Sequence, residues 1–217
     1  MKTDSQLQRD VLAELKWQPS VNAVHIGVTA KDNTVTLTGQ VEHYAEKIAA
    51  QNATKGVYGV KAVANDIKVE LPGSSCRTDQ DIAEAALNAM TWDFEVPNDS
   101  VKVIVSNGHV TLEGTVDWHY QKDAAERCIQ HLMGVKAVTN SLHIKPTVKW
   151  TDVTSQIEEA FRRSADMDAR RIAVETHDGK VTLSGSVSSW KERNEAVIAA
   201  WAAPGVTSVN DKLAVTL

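Results

Sequence analysis

The side chains of this 217-residue sequence with the means to do chemistry are seven histidines, two cysteines and a scatter of acids. The histidines are His25, His43, His109, His119, His131, His143 and His177, and they follow no common spacing. A metal or catalytic site needs ligands or proton carriers that converge. Cys128 and His131 lie three apart and make half of a zinc site, but no second pair at ligand spacing completes it, so the two read as structural. No Ser, Cys or Thr sits in a nucleophile motif, and there is no glycine-rich phosphate loop. Asp79, Asp81, Asp93, Asp99 and Asp117 are too dispersed to form a calcium loop. The expectation is a protein without catalytic residues, metal or cofactor.

Residues suited to contact are easier to find. Trp supplies six aromatics, against three Tyr and two Phe. Trp118 and Trp190, with His119, Tyr120 and Lys191 beside them, offer amphipathic rings that suit a lipid headgroup region or a neighbouring domain. Arg162, Arg163, Arg170 and Arg171 form the one basic cluster, and forked guanidinium donors suit phosphate. Glu158, Glu159, Asp166 and Asp168 are interleaved with them, which favours ion pairing within the chain. Trp17 and Trp92 read as core or rim packing, and Trp150 and Trp201 as contacts between domains.

The elements that carry these residues repeat. Val-x-Leu-x-Gly-x-Val occurs at Val35–Val41, Val110–Val116 and Val181–Val187. Gly-Val-x-x-Val follows each time, from Gly59, Gly134 and Gly205. Both patterns shift by 75 residues and then by 71, and the same shifts align Leu7 with Ile82 and Val153. Internal repetition of this kind outranks every other reading of the chain. Each copy reads as α-β-β-α-β. Leu7, Val11, Leu12 and Leu15 make a helical stripe. Asp4, Asp79 and Asp152, with Thr78 and Thr151, stand where first-turn amides need acceptors. Alternating strands meet through Asp32-Asn33, Asn107-Gly108 and Asp178-Gly179, residue types that accept positive φ in a tight hairpin. A second helix carries Ala49, Ala50, Ala53 and Val57, and Gly59, Gly134 and Gly205 are expected to end it as C-caps. Gly39, Gly114 and Gly185 lie inside a strand, where a missing side chain permits a bulge or a close approach. The fold class is therefore α+β: three tandem domains, 1–71, 77–146 and 150–217, each a small three-stranded mixed sheet packed by two helices. The connector Pro146 to Lys149 is short, so the second and third copies are expected to touch.

An initial helix, then V-x-L-x-G-x-V, a helix, and G-V-x-x-V ending in alternating apolar residues resembles the BON domain family, in three copies over nearly the whole chain. The resemblance implies an α/β sandwich without enzymatic activity. It further implies a role in envelope integrity or osmotic stress and binding to anionic phospholipid or a membrane-associated protein. One relative pairs such a domain with a LysM module and binds potassium, so the alternatives are a monovalent-cation sensor or a self-associating structural protein. No LysM module is read beside the copies, so the envelope role is the leading expectation and the cation sensor the alternative.

Composition bounds the rest. With 42% hydrophobic residues and 24% charged, the chain can bury a core. A net charge of −5 argues against nucleic acid, because no basic excess is available to displace counterions from phosphate. Charges at Lys2, Asp4, Arg9, Asp10, Glu14 and Lys16 interrupt the first twenty residues, so neither a secretory signal nor a transmembrane segment is read there. That sets the expectation of a cytoplasmic location, or a periplasmic one for a trimmed chain. Two cysteines, Cys76 and Cys128, give no disulfide framework.

Overall fold

The computed structural model describes residues 2–145, 153–164 and 171–216. Its first repeat runs α1 (Asp4–Trp17), β1 (Ile26–Lys31), β2 (Thr34–Val41), α2 (Tyr44–Gly56) and β3 (Ala62–Val69). The second runs α3 (Asp79–Trp92), β4 (Val101–Ser106), β5 (His109–Val116), α4 (His119–Gln130) and β6 (Ala137–Ile144). The third runs α5 (Val153–Arg163), β7 (Ile172–His177), β8 (Lys180–Val187), α6 (Trp190–Ala202) and β9 (Ser208–Val215). Three sheets result, ordered β1-β2-β3, β4-β5-β6 and β7-β8-β9, and the class is α+β. In the first and third sheets the hairpin pair is antiparallel and the last strand joins it in parallel, reached through the helix between. By packing, the chain divides into two compact units. One comprises Met1–Asp93, Val103–Leu112 and Glu126–Asn140; the other comprises Phe94–Lys102, Glu113–Ala125 and Ser141–Leu217. The repeat is a unit of sequence and element order, whereas this division follows packing, and the second repeat contributes to both units.

The valines and leucine of the strand motif are the inward face. Val35, Leu37 and Val41 are buried on β2, as are Val110, Leu112 and Val116 on β5 and Val181, Leu183 and Val187 on β8. Helix one closes over this face with Leu7, Val11 and Leu15 in the first repeat, and with Val153, Ile157 and Phe161 in the third. Full burial of one such side chain contributes about 1.5–3 kcal/mol. The hairpin residues take the left-handed conformation that their types allow: Asp32 and Asn33 at φ 49° and 64°, Asn107 and Gly108 at 54° and 78°, Asp178 and Gly179 at 47° and 76°.

Helix one starts on a capping box in the first two repeats. The hydroxyl oxygens of Thr3 and Thr78 accept from the backbone of Gln6 and Asp81, whose side chains return the bond. The N-caps are thus the threonines, and the following aspartates serve the hairpin instead. Asp4 accepts from the amide of Asp32 at 3.1 Å, while Asp79 accepts from those of Asn107 at 2.7 Å and Gly108 at 2.9 Å. Thr151 and Asp152, the corresponding pair of the third repeat, lie outside the described residues, as do the connector Pro146–Lys149, Trp150, Asp166 and Asp168.

Two expectations are corrected. The glycines Gly59, Gly134 and Gly205 do not cap helix two. α2 already ends at Gly56 and α6 at Ala202, where the amides of Val57 and Ala203 turn back to Thr54 and Ala200. Gly59 and Gly205 come two residues beyond those caps and Gly134 four residues beyond the end of α4, at φ 104°, 73° and 91°, in the bend that leads into the last strand. That bend docks on the hairpin: the amides of Lys61, Lys136 and Thr207 each donate to the turn carbonyl of Asn33, Gly108 and Gly179 at 2.8 Å. Trp17 and Trp92 are not packed either. They are 82% and 88% exposed. Each follows the last buried stripe residue, Leu15 or Met90, by two positions, which is about 200° around the helix. No helix among the described residues is long and apolar enough to cross a membrane.

Candidate functional site

In the second unit the start of α4 meets α6. The ring of His119 stacks on Trp201 with centroids 4.0 Å apart and planes at 22°. Asp123, one turn further along α4, approaches Nδ1 of His119 at 3.0 Å. Trp118, Tyr120, Ile198 and Ala202 complete an open, mostly apolar groove around this pair. Trp118 and His119 are half-buried and Tyr120 is exposed. The second and third repeats therefore touch at Trp201.

Trp190, the first residue of α6, is also half-buried, and the Arg193 guanidinium lies over its ring at 4.6 Å. Arg193 in turn donates to Asp211 at 2.7 Å. Its repeat equivalents Lys47 and Lys122 donate to the carbonyls of Ile67 and Leu142. This basic position fastens helix two to the last strand and offers no phosphate site. Lys191 is exposed and pairs with Glu195 at 3.6 Å. Arg162 and Arg163 pair along their own helix with Glu158 and Glu159 at 3.8 and 3.7 Å. Arg171 is exposed, and Arg170 lies outside the described residues. Two of the four arginines of the cluster are thus paired along their own helix.

The thiol of Cys128 donates to Asp93 at 3.2 Å, and His131 lies against the carbonyl of Arg127. Burial first, then the Asp93 carboxylate, pushes the thiol up to about 11. A thiolate ligand is disfavoured there. Among the described residues no three His, Cys, Asp or Glu side chains converge for a metal ion.

At Gly39, Gly114 and Gly185 the backbone is at φ 120°, 135° and 124°, and a Cβ would overlap the carbonyl oxygen of His25, Ser100 or Arg171. Gly59 and Gly134 face helix-one residues, Leu7 and Ile82. Gly205 is buried.

Two aromatic residues that the sequence suggested were core or rim packing instead form open surface. Trp17 and Trp92 share a repeat position at the end of helix one and point to solvent. The signal for this was available in the helical phase: both fall opposite the apolar stripe.

The comparisons agree with this architecture. The BON domain matches residues 3–70, 78–146 and 151–216. Osmotically-inducible protein Y of Escherichia coli is 34% identical over 151 residues, covering 65% of this chain and 73% of that protein. Outer membrane lipoprotein DolP of Haemophilus influenzae is 32% identical over 139 residues, covering 63% and 68%. CdsD, a structural protein of the type III secretion system of Chlamydia trachomatis, aligns over 96% of this chain and 91% of its own at 15% identity. Its TM-score of 0.26 is too low to support an argument. Matched three times along its length, the chain belongs to the BON domain family.

Proposed function

We propose that this chain is a non-enzymatic binding protein of the cell envelope, engaged in envelope or osmotic stress, that meets a membrane surface through the tryptophans ending helix one. Its domains are assigned to 1–71, 77–146 and 150–217. The observation that carries the reading is the exposure of Trp17 and Trp92 at one repeat position. A large ring held in water at 82% and 88% contributes nothing to its own core, and an indole with one polar edge suits the headgroup region. The names of two relatives, one osmotically inducible and one an outer membrane lipoprotein, support an envelope role. Trp118, which lines the groove beside His119 and Trp201, and Trp190, which lies under Arg193, are half-buried and serve this contact less well.

The contact is led by the rings, since the net charge is −5 and Asp93 directly follows Trp92. Vesicle flotation tests it, with phosphatidylcholine alone and with added phosphatidylglycerol. The protein is expected to float with both, with little dependence on salt. Trp17→Ser with Trp92→Ser is expected to lower partitioning about tenfold, equivalent to about 1.4 kcal/mol. Protein that stays at the bottom with both vesicle types, or a double variant that floats unchanged, overturns the reading.

A further inference from the structure

Tyr44, His119 and Trp190 occupy one repeat position, the first residue of helix two, and it is aromatic each time. In the first unit Tyr44 reaches the second repeat. Burial raises its hydroxyl above the ordinary value, the Glu126 carboxylate of α4 adds to this, and a hydrogen bond from the Val138 backbone of β6 opposes it. In the second unit His119 reaches the third repeat, stacking on Trp201 of α6. Glu126 corresponds by repeat to Val197, one helical turn before Trp201. Both contacts therefore run from the start of helix two in one repeat to the same face of helix two in the next.

A contact of that kind is heterologous: the two surfaces differ, and each repeat carries both. Trp190 is the donor position of the last repeat. The acceptor position of the first repeat, equivalent to Glu126, Trp201 and Val138, consists of Gln51 and Lys55 on α2 and Val63 on β3. These three side chains are half-buried, and an ammonium group against an indole face is a favourable partner. We propose that a second copy of this chain docks here, with Trp190 of one copy on the Gln51–Lys55 face of the next, continuing from chain to chain the contact the repeats already make. The surface is separate from Trp17 and Trp92, so this inference stands or falls apart from the membrane reading.

Sedimentation velocity without lipid tests it, from about 10 μM to about 1 mM, a range suited to a weak interface. The weight-average coefficient is expected to rise across the range without levelling at a dimer, because a heterologous contact has no built-in stop. Trp190→Ser and Lys55→Glu are each expected to weaken association about fivefold or more. An equimolar mixture of the two variants is expected to form one-to-one pairs and stop there, since each retains the surface the other lacks. Circular dichroism melts check folding, and Lys55→Glu, in a different repeat, tests the same contact should Trp190→Ser melt early. A monomer throughout, a plateau at a dimer of the unaltered chain, or association insensitive to Lys55→Glu overturns the proposal.

Discussion

Gly39, Gly114 and Gly185 meet two demands at once: a φ between 120° and 135°, and a neighbouring carbonyl where a Cβ would fall. Neither demand can be relieved by a rotamer change, because the obstacle is backbone. Gly114→Ala is expected to cost about 3 kcal/mol or more, a large part of what a small domain has in reserve. A thermal melt reads this directly, and an unchanged transition would contradict the account of the motif. Cys128 is the other residue with a measurable signature. Its thiol, held near 11, keeps its proton where the unfolded chain has lost it. The sign follows: between the ordinary thiol range and about pH 11 the folded state binds more protons, so stability falls as pH rises through that window. Cys128→Ala, which installs the residue of the equivalent positions Ala53 and Ala199, is expected to remove this slope in urea titrations. At pH 8 a thiol reagent is expected to modify exposed Cys76 well before Cys128.

Among the elements, helix one and the first hairpin are joined by one carboxylate. Asp79 accepts two turn amides and Asp4 one, so Asp79→Ala is expected to destabilise by about 1–3 kcal/mol and Asp4→Ala by less. Amide exchange at Asn107 and Gly108 is expected to quicken in the first variant, whereas equal effects at both sites would argue that the bonds are incidental. The capping box beside it is acid-sensitive. Hydrogen bonds from the Thr78 hydroxyl and backbone hold the Asp81 carboxyl below its ordinary value. Its contribution is therefore complete at neutral pH and disappears as pH falls through the lowered value. Helix two is fastened differently, through Lys47, Lys122 and Arg193 reaching the last strand of their repeats.

For the whole molecule, the arrangement is a set of similar modules with their aromatic residues on different surfaces. The ends of helix one carry open indoles, suited to a headgroup layer that buries part of each ring. The starts of helix two carry rings used between repeats, at Tyr44 and His119. With a net charge of −5, long-range attraction to an anionic surface is weak, so membrane binding by the first set should respond to ring removal far more than to salt. Self-association by the second set should respond to Trp190 and Lys55 and not to lipid. The two sets can thus be separated by experiment on one protein.

Local rules acting over a few residues made much of this legible from the sequence. The period of apolar residues set the helices and strands, Asp-Asn, Asn-Gly and Asp-Gly marked the hairpins, and the shifts of 75 and 71 residues set the repeat. The tertiary structure alone decided which aromatic side chains find a partner. Trp17 and Trp92 were read as packed and stand in water, while His119, one among seven scattered histidines, stacks on a tryptophan 82 positions later. The bends at Gly59, Gly134 and Gly205 likewise answer to the hairpin they dock on, not to the helix they follow. A residue's period and φ preference are properties of its own stretch of chain, but its burial depends on which distant surface folding brings against it.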